Sequence, residues 1–163
     1  MTSHLHNLHD WKSYLAEARR TGRNAVEMAL MRAEARAFLE RRDECGAIVD
    51  EYIGMIHPGI VGVFLFKMVP TRENTGEWGW VIVGGLPPAY INLKSPASAA
   101  EALDIYIGAM LKWLDLVERG AASGRFEAVN VRMTHEALAR LKAGLHYLDH
   151  KILARYTAQL NPA

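Results

Sequence analysis

The chain has 163 residues, half of them hydrophobic and 23% charged, with a formal net charge of +1. That is the balance of a single globular domain over 1–163, large enough to bury a core without disulfide or metal staples, and it lacks the dense basic footprint of a nucleic-acid binder. The lone cysteine, Cys45, rules out an internal disulfide and suits a reducing compartment. The most apolar run, 60–69, contains Lys67 and falls far short of the roughly twenty residues needed to span a bilayer.

No apolar stretch resembling a secretory leader opens the sequence, so a cytoplasmic, non-membrane protein is expected. Residues 1–7 are expected to be disordered. Asn7 or Asp10 then caps a short helix reaching residues 18–20, and Gly22 ends it. Asn24-Ala-Val-Glu27 has the form of a capping box for a second helix to about Asp43. That helix has apolar residues on most sides (Val26, Met28, Leu30, Met31, Phe38, Leu39), which predicts enclosure by several neighbours. Cys45, Ile48, Tyr52, Met55 and Ile56 continue the helical spacing, so the helix either stops near 43 or runs on, bent at Gly46, until His57-Pro58-Gly59 breaks it.

The period changes after that break. Residues 60–69 are β-branched and aromatic, and 77–83 alternate with Trp78, Trp80 and Ile82 on one face, so both read as strands. A turn at 72–76 joins them, and 89–93 return as a third strand. The expectation is a three-stranded antiparallel meander. Ser95-Pro96 and Ser98-Ala-Ala-Glu101 start a helix with Leu103, Tyr106, Ile107, Met110, Trp113, Leu114 and Val117 on one side. A loop at 120–124 and a short extended piece at 129–131 lead to a last long helix capped by Thr134. Its stripe of Leu138, Leu141, Leu145, Leu148 and Ile152 packs by default within the chain and alternatively against a second copy. The predicted class is α+β: N-terminal helices, the meander, and two long C-terminal helices packed on the sheet.

Four groups of residues could carry chemistry. His146 and His150 lie four apart on a helix, a spacing that can share zinc. His146-Tyr-Leu-Asp-His150 is similar to the inverted zinc-peptidase motif, with Asp149 in place of its glutamate. On a helical wheel, however, these histidines fall about 115° and 155° from the apolar stripe, facing water. His4, His6 and His9 could hold a metal adventitiously, but the plainer reading is tail composition. Cys45 with His57 could form a thiol nucleophile, but Cys45 on apolar spacing reads as a small hydrophobe. Gly84-Gly-Leu-Pro-Pro-Ala-Tyr90 lacks the spacing and lysine of a phosphate loop and reads as a rigid reversal, with Pro87 or Pro88 open to a cis bond. Together with Trp78 and Trp80, the residues Gly84, Gly85, Pro87, Pro88 and Tyr90 form a candidate binding platform, against the plainer reading that the rings fill the core.

The run 78–91, Trp-Gly-Trp-Val-Ile-Val-Gly-Gly-Leu-Pro-Pro-Ala-Tyr-Ile, resembles a run found in small uncharacterised bacterial proteins, Trp-x-(aliphatic)-x-Gly-(Asp/Gly)-(aliphatic)-Pro-x-(Ala/Asp)-Tyr. Ala128-Val-Asn-Val131 before a long helix is similar too. Gly85 stands where an aspartate is common in that run. The resemblance implies a bacterial cytoplasmic origin and a comparable fold, but no transferable activity.

No catalytic residue and no cofactor is assigned from these signals. The leading expectation is a non-catalytic protein–protein interaction or binding module, with a regulatory or toxin-neutralising partner or a second copy as its occupant. The alternative is a small enzyme or ligand-binding protein with a pocket beside residues 84–90 or a metal at His146 and His150. A flat apolar patch on the last helix would favour the first, and a pocket enclosing several ionisable side chains the second.

Overall fold

The computed structural model describes residues 8–42, 45–69, 77–92, 98–120 and 134–156. Its first strand, β1 (His9–Asp10), passes directly into helix α1 (Trp11–Arg20). The Asp10 carboxylate caps that helix by accepting from the Ser13 N–H at 3.2 Å, and Gly22 ends it at a φ of 70°, which a side chain would resist. Helix α2 (Ala25–Glu40) follows. The Asn24 side chain makes no cap bond, so the expected capping box does not form.

α2 stops at Glu40, and the continuation to Ile56 that the spacing allowed is absent. Strand β2 (Ile48–His57) stands in its place. The reason is visible in the register. Against β3 (Val61–Met68), β2 is irregular between Ile48 and Asp50 and again between Ile53 and Met55. Each bulge resets which face the side chains point to. Ile53 and Ile56 therefore reach one core while Met55 reaches the other, and a two-step rhythm is disguised as steps of three and four.

β4 (Trp78–Gly84) and β5 (Ala89–Asn92) complete a five-stranded antiparallel sheet among the described residues, in the order β1-β2-β3-β4-β5. The expected meander is present as β3–β5, but as part of a larger sheet. Residues 70–76 and 93–97, the loop after Gly120, and the extended piece expected at 129–131 lie outside the described residues.

Helices cover both faces, which explains why β3 is apolar along nearly its whole length. Val61, Val63 and Leu65, with Trp80 and Ile82, pack toward helix α3 (Ala99–Glu118) and helix α4 (His135–Tyr147). Phe64, Phe66 and Met68, with Val81 and Val83, pack toward α1 and α2. Trp78, Trp80 and Ile82 share a face as expected. Each fully buried large side chain contributes on the order of 1.5–3 kcal/mol relative to exposure.

α3 starts where Ser98 accepts from the Glu101 N–H at 3.2 Å, and it buries Leu103, Tyr106, Ile107, Met110 and Leu114. Thr134 caps α4 through the Ala137 N–H at 3.1 Å. The stripe of Leu141, Leu145, Leu148 and Ile152 is buried within this chain. The last helix is less regular than expected: after Tyr147 it widens to a π-turn (Leu148–Ile152) and then tightens to a 3₁₀ turn (Leu153–Tyr156). α2 departs from expectation too. Met28, Met31, Ala35 and Leu39 are buried, but Val26 is 75% and Leu30 64% exposed, so the helix is covered on one side and not enclosed.

Candidate functional site

The reversal between β4 and β5 is fixed from several directions. Gly84 has a φ of 141°, and a Cβ there would collide with the Ile60 carbonyl, so the β2–β3 turn and the β4–β5 turn lie against each other. The Gly85 N–H donates to that same carbonyl at 3.2 Å. The Tyr106 hydroxyl of α3 donates to the Pro87 carbonyl at 2.6 Å, and burial pushes the phenol far above its usual range. On α4, a Cβ at Gly144 would stand 2.8 Å from Leu86, so the missing side chain is what lets Leu86 seat there. Every described peptide bond is trans, Pro87 and Pro88 included.

Between these elements runs an open groove of about 390 Å³. Gly59 and Ile60 supply one wall, Gly85 and Leu86 another, and Gly144, Tyr147 and Leu148 the third. Ile60 is 36% and Tyr147 45% exposed at its rim. No Asp, Glu, Lys, Arg or His lines it.

The candidate platform residues do not converge on one surface. Trp80 is fully buried. Trp78 is half-buried on the same face, its ring 6.0 Å from Tyr52 and under the Lys67 ammonium at 5.6 Å. Tyr90 lies on the opposite face, across Gly79 and beneath the Arg42 guanidinium at 5.1 Å. Of the seven residues, Gly84 shapes the turn, Pro87 anchors it, Pro88 is half-buried beside them, and Gly85 alone lines the groove.

His146 and His150 are both exposed, with stacked rings 6.0 Å apart. Among the described residues, no three His, Cys, Asp or Glu side chains gather as metal ligands would. His4 and His6 lie outside the described residues, and His9 is exposed on β1 beside Tyr14. Cys45 is half-buried in the loop before β2 and not on a helix. His57 ends that ten-residue strand, about 30 Å away at the usual rise per residue, which separates the proposed thiol from its base.

Two arrangements escaped the sequence reading. His57 Nε2 and the Tyr156 hydroxyl are 2.7 Å apart although 99 positions separate them. Burial, and then the Arg155 guanidinium, lower the His57 pKa. On the other side of the sheet, Glu51 of β2 accepts from both Arg32 and Arg36 of α2, and Arg32 also lies 4.9 Å over the Trp11 ring. These residues border a recess of about 270 Å³ whose lining includes Asp10, Lys12 and Asp50. Its positive and negative side chains balance. Neither arrangement has a local sequence signature, because each joins elements far apart in the chain.

No helix among the described residues is long and apolar enough to cross a membrane. Comparison with known proteins finds no matching family model, no matching curated protein and no matching solved structure.

Proposed function

We propose that the chain is a non-catalytic binding module, whose groove between the two glycine turns and α4 receives an apolar side chain of a protein partner in a bacterial cytoplasm. The observation that carries this reading is the lining: about 390 Å³ walled by glycines and by Ile60, Leu86, Tyr147 and Leu148, with no charged side chain. Apart from the Tyr147 phenol, such a surface offers a ligand only apolar walls and main chain, and it removes apolar area from water. An aromatic anchor burying 150–250 Å² gains on the order of 4–6 kcal/mol before the entropy of association. One anchor alone therefore binds weakly, and a partner adds contacts around the rim. A regulatory or toxin-neutralising role fits a surface of this kind. The lone cysteine and the resemblance of the 78–91 run support the bacterial cytoplasmic setting.

Titration of the full chain with indole, as a stand-in for an aromatic anchor, tests the reading by NMR. Shifts are expected at Gly59, Ile60, Gly85 and Tyr147, with Tyr147→Ala weakening binding several-fold. Shifts centred instead on the Arg32–Arg36 recess, or none up to the solubility of indole, would remove the groove as the binding surface.

A further inference from the structure

Helix α2 has two apolar faces, and the fold uses one. Met28, Met31, Ala35 and Leu39 are buried against the sheet. At about 100° per residue, Val26, Leu30, Ala33 and Ala37 fall on the opposite side. Their spacing of four, three and four is that of a coiled-coil seam. Val26 and Leu30, at 75% and 64%, are the most exposed large apolar side chains of the described residues.

The charges of α2 are sorted around this seam. Arg32 and Arg36 turn to Glu51 on the sheet. Glu27 and Glu34 flank the seam on one side and Glu40 follows its end, and none of the three is ion-paired among the described residues. Arg23 and Arg41 lie before and after the helix. What remains facing outward along 26–37 is apolar, with Glu27 and Glu34 on one side and the exposed Arg23 and Arg41 beyond its two ends.

We propose that this face docks a basic amphipathic helix of a partner protein. Large apolar side chains of that helix would sit between Val26 and Leu30 and over the alanines, whose small size permits close approach. Its lysines or arginines would meet Glu27 and Glu34. The seam from 26 to 37 is about 18 Å long, three turns of helix, which suits a small and reversible interface. An antiparallel second copy fits poorly, because two-fold pairing of that sense sets Glu27 of one copy against Glu34 of the other. The seam lies on the face of the sheet opposite α4, and its occupation does not require the groove.

The test uses the full chain and two synthetic helical peptides with leucine at the core heptad positions, one flanked by lysines and the other by glutamates. The lysine peptide is expected to bind at least tenfold tighter by fluorescence anisotropy, with NMR shifts along residues 26–37. Leu30→Asp, at an exposed site that leaves the fold intact, weakens it at least tenfold. Glu27→Lys with Glu34→Lys reverses the preference between the peptides. Equal affinity for both peptides, shifts at Ile60 and Tyr147 in place of α2, or a concentration-dependent dimer abolished by Leu30→Asp would each overturn the proposal.

Discussion

His57 shows how burial converts one side chain into a pH dependence. Desolvation, aided by Arg155, holds its folded pKa below the ordinary value of 6.5. At pH values between the two, the unfolded chain binds more protons than the folded one, so stability falls as pH drops through about 6.5 and levels off below the folded pKa. Protonation also leaves the ring able only to donate toward the Tyr156 hydroxyl, which stands 2.7 Å away. Urea denaturation at pH 7.5, 6.5 and 5.5 measures this. His57→Gln is expected to be less stable than the parent at pH 7.5 and to show a shallower decline toward pH 5.5. An unchanged slope would exclude His57 as the source. The phenol of Tyr106, donating to Pro87 from within the core, adds no pH dependence near neutrality because burial keeps it protonated.

At the scale of the element, β2 is where the sequence rhythm and the structure part. α1, α3 and α4 were legible because Asp10, Ser98 and Thr134 announce their starts with side-chain caps. The meander was legible because Val61–Met68 is a short β-branched and aromatic run and Trp78–Gly84 sets Trp78, Trp80 and Ile82 on one face. β2 was not, since its two bulges scramble the alternation and mimic a helix. One of them sits at Gly54, where a Cβ would collide with Ala99 at the start of α3 and stand 3.2 Å from Trp80. Gly54→Ala is therefore expected to cost about 1–3 kcal/mol through forced displacement of α3. Ala99→Gly in the same chain should return part of that loss, as contacting sites do. Denaturation midpoints of the three variants decide it, and a neutral Gly54→Ala would refute the close approach. The groove was half legible. The glycines and prolines of the 84–88 turn marked its place, but Gly144 and Tyr147 are joined to it only by tertiary packing, which no local pattern encodes.

Across the whole molecule, the sheet is covered unevenly. β3 and β4 are buried on both faces and paired on both edges, whereas β1 is two exposed residues against Ile53 and Tyr52. Opening β3 requires breaking both cores, so its amides and those of β4 should exchange only through global unfolding, with protection equal to the full stability. The His9 and Asp10 amides should exchange through local fraying, orders of magnitude faster. Native-state hydrogen exchange reads both, and equal protection in β1 and β3 would contradict this gradient. The groove sits at one end of that rigid centre, and three of the seven residues that bound it are glycines. Bare main chain has no rotamers to adjust and no substituent to exchange. Ile60, Leu86, Tyr147 and Leu148 are thus the places where a descendant of this chain could acquire a different preference, whereas a side chain at Gly144 would push against Leu86 and one at Gly59 would strain a φ of 75°.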